Sequence, residues 1–342
     1  MMTAAELDDN RGYRLLEEAL GELAFLLEQD NVIEVYCNSN NLYVWAEYAG
    51  IGRKRTDIEL SVEAREQILK IVASFCNTIT NKENSIISAE LPKYGYRFEG
   101  SFPDTTLLPS FNIRKPASVV FSLDDYVAGS MMTIEQEKII KQAVRRKMNI
   151  IVGGGTGSGK TTLCNAVLQE ISKIGDRLCL IEDTRELQCT ADDYESFRTS
   201  DNVSTLDLIH TNMRRRPDRI IVGEVRDRAA YDLLKAWNTG HPGGVSTTHA
   251  NSALETLTRL ESLSLEAGSA SSIPPVDVIR DLIGTTIGLI VFISRSVKIV
   301  DGIQVKSREV KEVVLCRGYS NEKKAYCLEH DAKKILSILE GK

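Results

Sequence analysis

The chain has 342 residues, enough for two domains, with 42% hydrophobic and 26% charged residues, the balance of an ordinary globular protein rather than a disordered or membrane-embedded one. A formal net charge of −6 at pH 7 argues against broad electrostatic binding to nucleic acid, although a local basic channel stays open. Seven scattered cysteines (Cys37, Cys76, Cys164, Cys179, Cys189, Cys316 and Cys327) form no Cys-x-x-Cys pair, so neither a zinc site nor a disulfide framework is indicated and a reducing cytoplasm is expected. Apolar runs such as Leu289-Ile290-Val291-Phe292-Ile293 fall far short of the roughly 20 residues that cross a bilayer, and the acidic first residues lack the pattern of a signal peptide.

In chain order, residues 11–28 read as a helix, because Tyr13, Leu16, Leu20, Leu23 and Leu27 step by three and four. Residues 32–36 and 42–45 alternate and are β-rich, with Asn38-Ser39-Asn40-Asn41 between them as a turn, so a hairpin is expected. Ser61 caps a second helix to about Cys76, with Ile68, Ile71, Val72 and Phe75 on one side. Further strands are expected over 86–89, 96–102 and 110–114, which makes residues 1–117 a small α+β domain. Residues 118–131 carry Pro, Ser, Asp and Gly nearby and no convincing periodicity, and read as the interdomain linker.

The second domain, 132–342, begins with a capping box, Thr133 and Gln136, for a helix ending near Arg146. Strands at 148–152, 177–181, 220–222 and 244–248 alternate with helices, the pattern of a parallel-sheet NTPase core. A helix after Val278 precedes the strand 289–293, and Asp301-Gly302 marks a hairpin between 296–300 and 303–314.

The chemistry centres on Gly154-Gly155-Thr156-Gly157-Ser158-Gly159-Lys160-Thr161-Thr162, which fits G-x-x-x-x-G-K-[ST] between a strand and a helix. The glycines let backbone N–H groups turn toward phosphates, and the helix N-terminus adds positive potential. Lys160 is expected on the β- and γ-phosphates and Thr161 on Mg²⁺. Glu182, in Glu182-Asp183-Thr184-Arg185-Glu186, follows a strand and is placed to polarise water or hold Mg²⁺ through water. Glu224 ends the apolar strand of Arg219-Ile220-Ile221-Val222-Gly223-Glu224 and reads as the Mg²⁺-anchoring acid. His241 and His249 flank a glycine loop and strand and suggest a nucleotide-sensing site, with His249 on a phosphate oxygen or a catalytic water.

These motifs, in this order and together with residues 91–100 and 111–116, resemble the secretion ATPases of type II and type IV systems, and within them the conjugal-transfer (TrbB-like) traffic ATPases. The resemblance implies an α/β chain with a PAS-like N-terminal domain and a RecA-like ATPase domain. It implies a homohexameric ring on the cytoplasmic face of the inner membrane, docking on inner-membrane secretion components. It implies hydrolysis of Mg²⁺-ATP to power DNA or pilus-subunit transport, without sequence-specific nucleic-acid binding. Lys160 and Thr161 match the Walker A pair, Glu224 the Walker B acid, Glu182 the Asp-box acid, and His241 and His249 the His box; Arg97 and Arg114 match arginines that reach the nucleotide from the N-terminal domain. One departure is Ala229, where the family usually carries an acid three residues past the Gly-Glu-Val-Arg arginine. The missing Cys-x-x-Cys module favours the type IV branch. Rival readings are a type II or pilus assembly/retraction ATPase, a RecA-like DNA motor or small-molecule kinase, and a nucleotide-gated ring without catalysis.

Overall fold

The computed structural model describes residues 13–75, 85–91, 94–116, 120–200, 202–266, 274–300 and 303–341. The chain divides into two compact units, Met1–Ser118 and Val119–Lys342.

The first unit opens with helix α1 (13–20) and α2 (Glu22–Glu28). The single helix expected over this stretch is therefore broken, at Gly21, whose φ of 50° is a left-handed backbone that glycine adopts without a Cβ penalty. Residues 11 and 12 of that expectation lie outside the described residues. The stripe survives the break, since Leu16, Leu20, Leu23 and Leu27 are all buried. There follow β1 (Val32–Cys37), β2 (Tyr43–Tyr48), β3 (Gly52–Glu59), α3 (Val62–Phe75), β4 (Ile86–Leu91), β5 (Tyr96–Ser101) and β6 (Ser110–Arg114). Cys76, the expected end of α3, lies outside the described residues. The six strands form one antiparallel sheet in the order β3-β2-β1-β6-β5-β4. Val35, Val44, Phe98 and Ile113 bury one face. Across the other, register places Glu90, Arg97, Arg114, Glu34, Glu47 and Arg53 in one row from edge to edge. Strand β3 escapes the sequence pattern because its Arg-Lys-Arg run faces water; as an edge strand it needs only β2 as partner.

The second unit holds α4 (Leu123–Ala128), α5 (Ile134–Arg145), β7 (Asn149–Gly154), α6 (Lys160–Ser172), β8 (Leu178–Glu182), β9 (Tyr194–Arg198), α7 (Thr205–Met213), β10 (Arg219–Val222), α8 (Ala229–Asn238), β11 (Val245–His249), α9 (Ala253–Leu265), α10 (Val276–Thr286), β12 (Ile287–Val300), β13 (Ile303–Ser320), β14 (Ala325–Glu329) and α11 (Ala332–Glu340). Its eight-stranded sheet runs β14-β13-β12-β7-β11-β10-β8-β9. The six strands from β12 to β9 are mutually parallel; β13 and β14 add antiparallel at one edge. Strand β7 lies between β11 and β12, and every residue of it is buried. That burial on both faces explains its unbroken apolar run.

The segment expected as a linker is corrected in part. Ser122 and Asp125 form a capping box for α4, which buries Leu123 and Tyr126 in the second unit's core. Six helical residues are under two turns, too few to show a 3.6-residue period. The expected strands 289–293 and 296–300 are one continuous strand, β12, paired with β13; the Asp301-Gly302 turn itself lies outside the described residues. Strands β9 and β14 and helix α11 had no sequence expectation. β9 is an edge strand whose residues are exposed or half-buried in alternation.

Candidate nucleotide site

The turn after β7 is built by glycine. Gly157 (φ 70°) and Gly159 (φ 95°) are left-handed, and Gly159 is the N-cap of α6. A Cβ on Gly154 would stand 2.5 Å from Ser158 Oγ and also against the carbonyl oxygen of Ile293. The N-cap of α6 has no side-chain cap, so its first-turn N–H groups are available to an anion. Lys160 begins α6, only 8% exposed, and its Nζ donates to the Gly155 carbonyl at 3.2 Å. Thr161 and Thr162 follow it, half-buried.

Parallel pairing sets His249 of β11 directly opposite Gly154 of β7. His249 Nδ1 lies 3.4 Å from Lys160 Nζ, and its Nε2 lies 3.0 Å from Glu224 Oε1. On its other oxygen, Glu224 accepts a 2.6 Å hydrogen bond from Arg226 Nη2, and Arg226 Nη1 is 3.6 Å from Asp183 Oδ2. Lys160, His249, Glu224, Arg226 and Asp183 thus form a continuous chain of alternating polarity along the C-terminal edge of the sheet. Burial penalises the Glu224 carboxylate, but the Arg226 hydrogen bond and the charges of Arg226, His249 and Lys160 outweigh it and hold the group below the usual carboxylate range. Burial, then Lys160, lowers the pKa of His249 against the opposing pull of Glu224. Neutral at pH 7, His249 offers the Nδ1 lone pair to the Lys160 ammonium and its Nε2–H toward Glu224.

Glu182 ends β8 and is 5% exposed. Its Oε1 accepts from the backbone N–H groups of Glu186 at 2.8 Å and Leu187 at 2.6 Å. Burial raises its pKa, and the two backbone bonds offset that only in part. Gly223 makes room for it: a Cβ there would lie 3.2 Å from Glu182 Cγ, so Glu182 packs on the turn that carries Glu224.

The turn 223–225 is held from β11. Thr247 Oγ1 donates to the Gly223 carbonyl at 2.9 Å and Thr248 Oγ1 to that of Val225 at 3.2 Å. Ala229, the departure noted in the sequence, is the buried first residue of α8, and its N–H donates to Asp227 Oδ1 at 2.8 Å. Arg226 and the two threonines orient this turn without an acid at position 229.

Not every expected site residue joins the group. His241 is a correction: it precedes β11, whereas His249 ends it, and the five-residue strand between them spans about 16 Å. His241 therefore sits at the sheet edge away from the glycine turn, where its Nδ1–H donates to the Pro217 carbonyl at 2.9 Å. Two histidines eight positions apart look like a pair in sequence only if the strand between them is overlooked. Arg97 and Arg114 belong to the first unit, where β5 and β6 place them directly opposite each other, Arg97 half-buried and Arg114 exposed. Two further cations lie beside the glycine turn with no sequence signal. Arg308 Nε donates to the Gly157 carbonyl at 3.4 Å, and Arg295 is its cross-strand neighbour on β12.

The donor set fits Mg²⁺ held with a nucleotide. Among the described residues, the buried Glu224 Oε1 and Ser158 Oγ have no hydrogen-bond donor or acceptor; the His249 approach to Oε1 lacks hydrogen-bond geometry. No group of three His, Cys, Asp or Glu gathers among the described residues to cage a metal. A single carboxylate and the Thr161 hydroxyl, completed by substrate phosphates and water, are the ligands that Mg²⁺ takes. Bound there, Mg²⁺ would neutralise phosphate charge.

Residues 83–317 match the family model described as Type II/IV secretion system protein. The chain is 43% identical over 323 residues to the conjugal transfer protein TrbB of Rhizobium radiobacter, covering 94% of both chains. It is 31% identical over 276 residues to the type IV secretion system protein VirB11 of Bartonella quintana, covering 68% of this chain and 76% of that one. Among solved structures, the ATPase DotB of Legionella pneumophila shares the fold, with a TM-score of 0.59 and 20% identity over 99% of this chain and 88% of that one. The glycine turn and its ring of charges therefore sit in a chain that belongs to the Type II/IV secretion system protein family, a family of secretion ATPases, on its conjugal-transfer, TrbB-like side.

Proposed function

We propose that the chain is the Mg²⁺-ATP-hydrolysing motor of a type IV secretion or conjugative transfer system, working as a homohexamer on the cytoplasmic face of the inner membrane and powering transport of DNA or pilus subunits. The observation that carries this reading is the convergence of Lys160, His249 and Glu224 on one glycine turn, at 3.4 and 3.0 Å. Lys160 and the N–H groups of residues 154–162 bind the phosphates. Thr161 and Glu224 hold Mg²⁺, with Glu182 behind them. His249, neutral and between a cation and an anion, senses the γ-phosphate or orients the attacking water.

Two finer assignments belong to the same reading. The sheet order, with the glycine-turn strand central and an antiparallel hairpin at one edge, is read as a RecA-like core, and the six-stranded sheet of the first unit as PAS-like. Arg97 and Arg114 are assigned to the nucleotide. They lie directly opposite each other between Glu90 and Glu34, and two adjacent guanidinium forks suit a phosphate. Arginines supplied by a separate domain are most simply used in a ring, where the γ-phosphate holds that domain and hydrolysis releases it.

The test is phosphate release from Mg²⁺-ATP by the purified chain, with and without single-stranded DNA, alongside native mass spectrometry with a non-hydrolysable ATP analogue. Turnover and a six-subunit species are expected. No turnover under any assembly condition would overturn the motor reading, and a strict monomer would overturn the ring.

A further inference from the structure

Asn165 lies on α6, five residues after Lys160, and matches no motif used above. It is 2% exposed, an uncommon place for an amide unless both ends are bonded. Both are. Its Nδ2 donates to the Glu186 carbonyl at 3.0 Å, and its Oδ1 accepts from the Gln188 N–H at 3.0 Å. The amide thus mimics a neighbouring strand for a segment that has none, because residues 183–191 leave β8 without regular secondary structure. The same segment supplies the Glu186 and Leu187 N–H groups that Glu182 Oε1 accepts. Four hydrogen bonds, two from Asn165 and two to Glu182, therefore converge on three consecutive residues. At the start of the segment, Asp183 faces Arg226, the guanidinium that holds Glu224.

We propose that Asn165 is a positioning residue of the ATPase site: it fastens residues 186–188 to the helix that begins with Lys160, and through them fixes the Glu182 carboxylate. The proposal rests on the ATPase reading above. The backbone of 186–188 links the phosphate-binding helix to the acid that ends β8. A shift of α6 on nucleotide binding would reach Glu182 along this path. Placement errors of an ångström in a catalytic group cost rate far more than they cost binding.

The experiment uses the full-length chain with Asn165→Leu, which keeps the side-chain volume, and Asn165→Asp, which keeps the acceptor for Gln188 and loses the donor to Glu186. Steady-state kinetics with Mg²⁺-ATP, binding of a fluorescent ADP, and hydrogen exchange at residues 186–188 are measured for each. Asn165→Leu is expected to lower kcat by about 10- to 100-fold, the range seen when supporting groups behind a site are removed. ADP affinity should change by less than about threefold, and exchange at 186–188 should rise. Asn165→Asp should fall between wild type and Asn165→Leu in exchange. Wild-type kcat with raised exchange would overturn the proposal, and so would ADP affinity that falls in step with kcat, since that places the effect in the glycine turn. Absence of turnover in the wild type would instead sink the ATPase reading; unchanged exchange at 186–188 would then still refute the clamp.

Discussion

The two edges of the second unit's sheet carry similar residues to different ends. At the N-terminal edge, Arg219 is fully buried and each guanidinium nitrogen has a partner: Nε donates to Asp176 at 2.7 Å, Nη1 to the Gly243 carbonyl at 2.9 Å and Nη2 to the Val144 carbonyl at 3.1 Å. Lys147 pairs with the same Asp176 at 2.9 Å, and Asn149 bonds Gly243, Gly244 and Thr286. At the C-terminal edge the charges run from buried Lys160 through half-buried Glu224 to exposed Arg226 and are connected, yet Glu224 Oε1 and Ser158 Oγ lack hydrogen-bond partners among the described residues. A buried polar group left without a partner costs about 1–3 kcal/mol. At the C-terminal edge a Mg²⁺-nucleotide would satisfy both atoms. The edges thus differ in what their charges meet: around Arg219 protein groups take up every guanidinium nitrogen, whereas beside the glycine turn Glu224 Oε1 and Ser158 Oγ stay open to a ligand.

Breaking the C-terminal edge at its cation should give the largest effect. Lys160→Ala is expected to reduce ATP hydrolysis by about 10³-fold or more and to weaken ATP binding greatly, with the melting temperature close to wild type. Turnover near wild type in the purified variant would remove the comparison's functional half.

Breaking the other edge should do the reverse. Arg219→Met leaves Asp176 buried beside one remaining partner, Lys147, and should destabilise the fold by about 3–5 kcal/mol. Urea unfolding measures it; a loss under about 1 kcal/mol would mean that this network is not the framework described.

The histidines sharpen the contrast within one strand. Glu224→Gln and His249→Ala should each lower kcat by about 10²-fold while nucleotide still binds. His241→Ala should leave kcat per folded molecule unchanged and cost about 1 kcal/mol for its hydrogen bond to Pro217. Equal kinetic effects at positions 241 and 249 would contradict the assignment by edge.

The smallest effect is a pH dependence. Burial pushes the Asp176 pKa up, but hydrogen bonds from Lys147 and Arg219 and their charges win, so it is lower folded than unfolded. A depressed acid stabilises the fold above its unfolded value of about 3.9 and loses that contribution as pH falls through the folded value. The stability difference between wild type and Asp176→Asn should therefore be constant from pH 5 to 7 and shrink below about pH 4. A difference that grows on acidification would reverse the sign of this linkage.

Local signals carried much of this protein. The string Gly154 to Thr162 between an apolar run and an amphipathic run is strand, turn and helix in the structure, because its backbone is dictated by glycine and by a buried parallel strand. The capping box of Thr133 and Gln136 starts α5 as expected, since a cap depends on residues three apart. Helix α4, strand β9 and the edge strand β3 gave weak patterns, being short or facing water. What only the tertiary structure decided is which distant groups meet. His249 rather than His241 lies beside Lys160 because β11 pairs with β7 in a particular register; Arg308 reaches the glycine turn because β12 lies on the other side of β7; Asn165 finds residues 186–188 because the segment that leaves β8 passes against α6. Such neighbours are set by strand order and crossover connections, long-range choices that burial of the whole sheet makes and that no window of sequence contains.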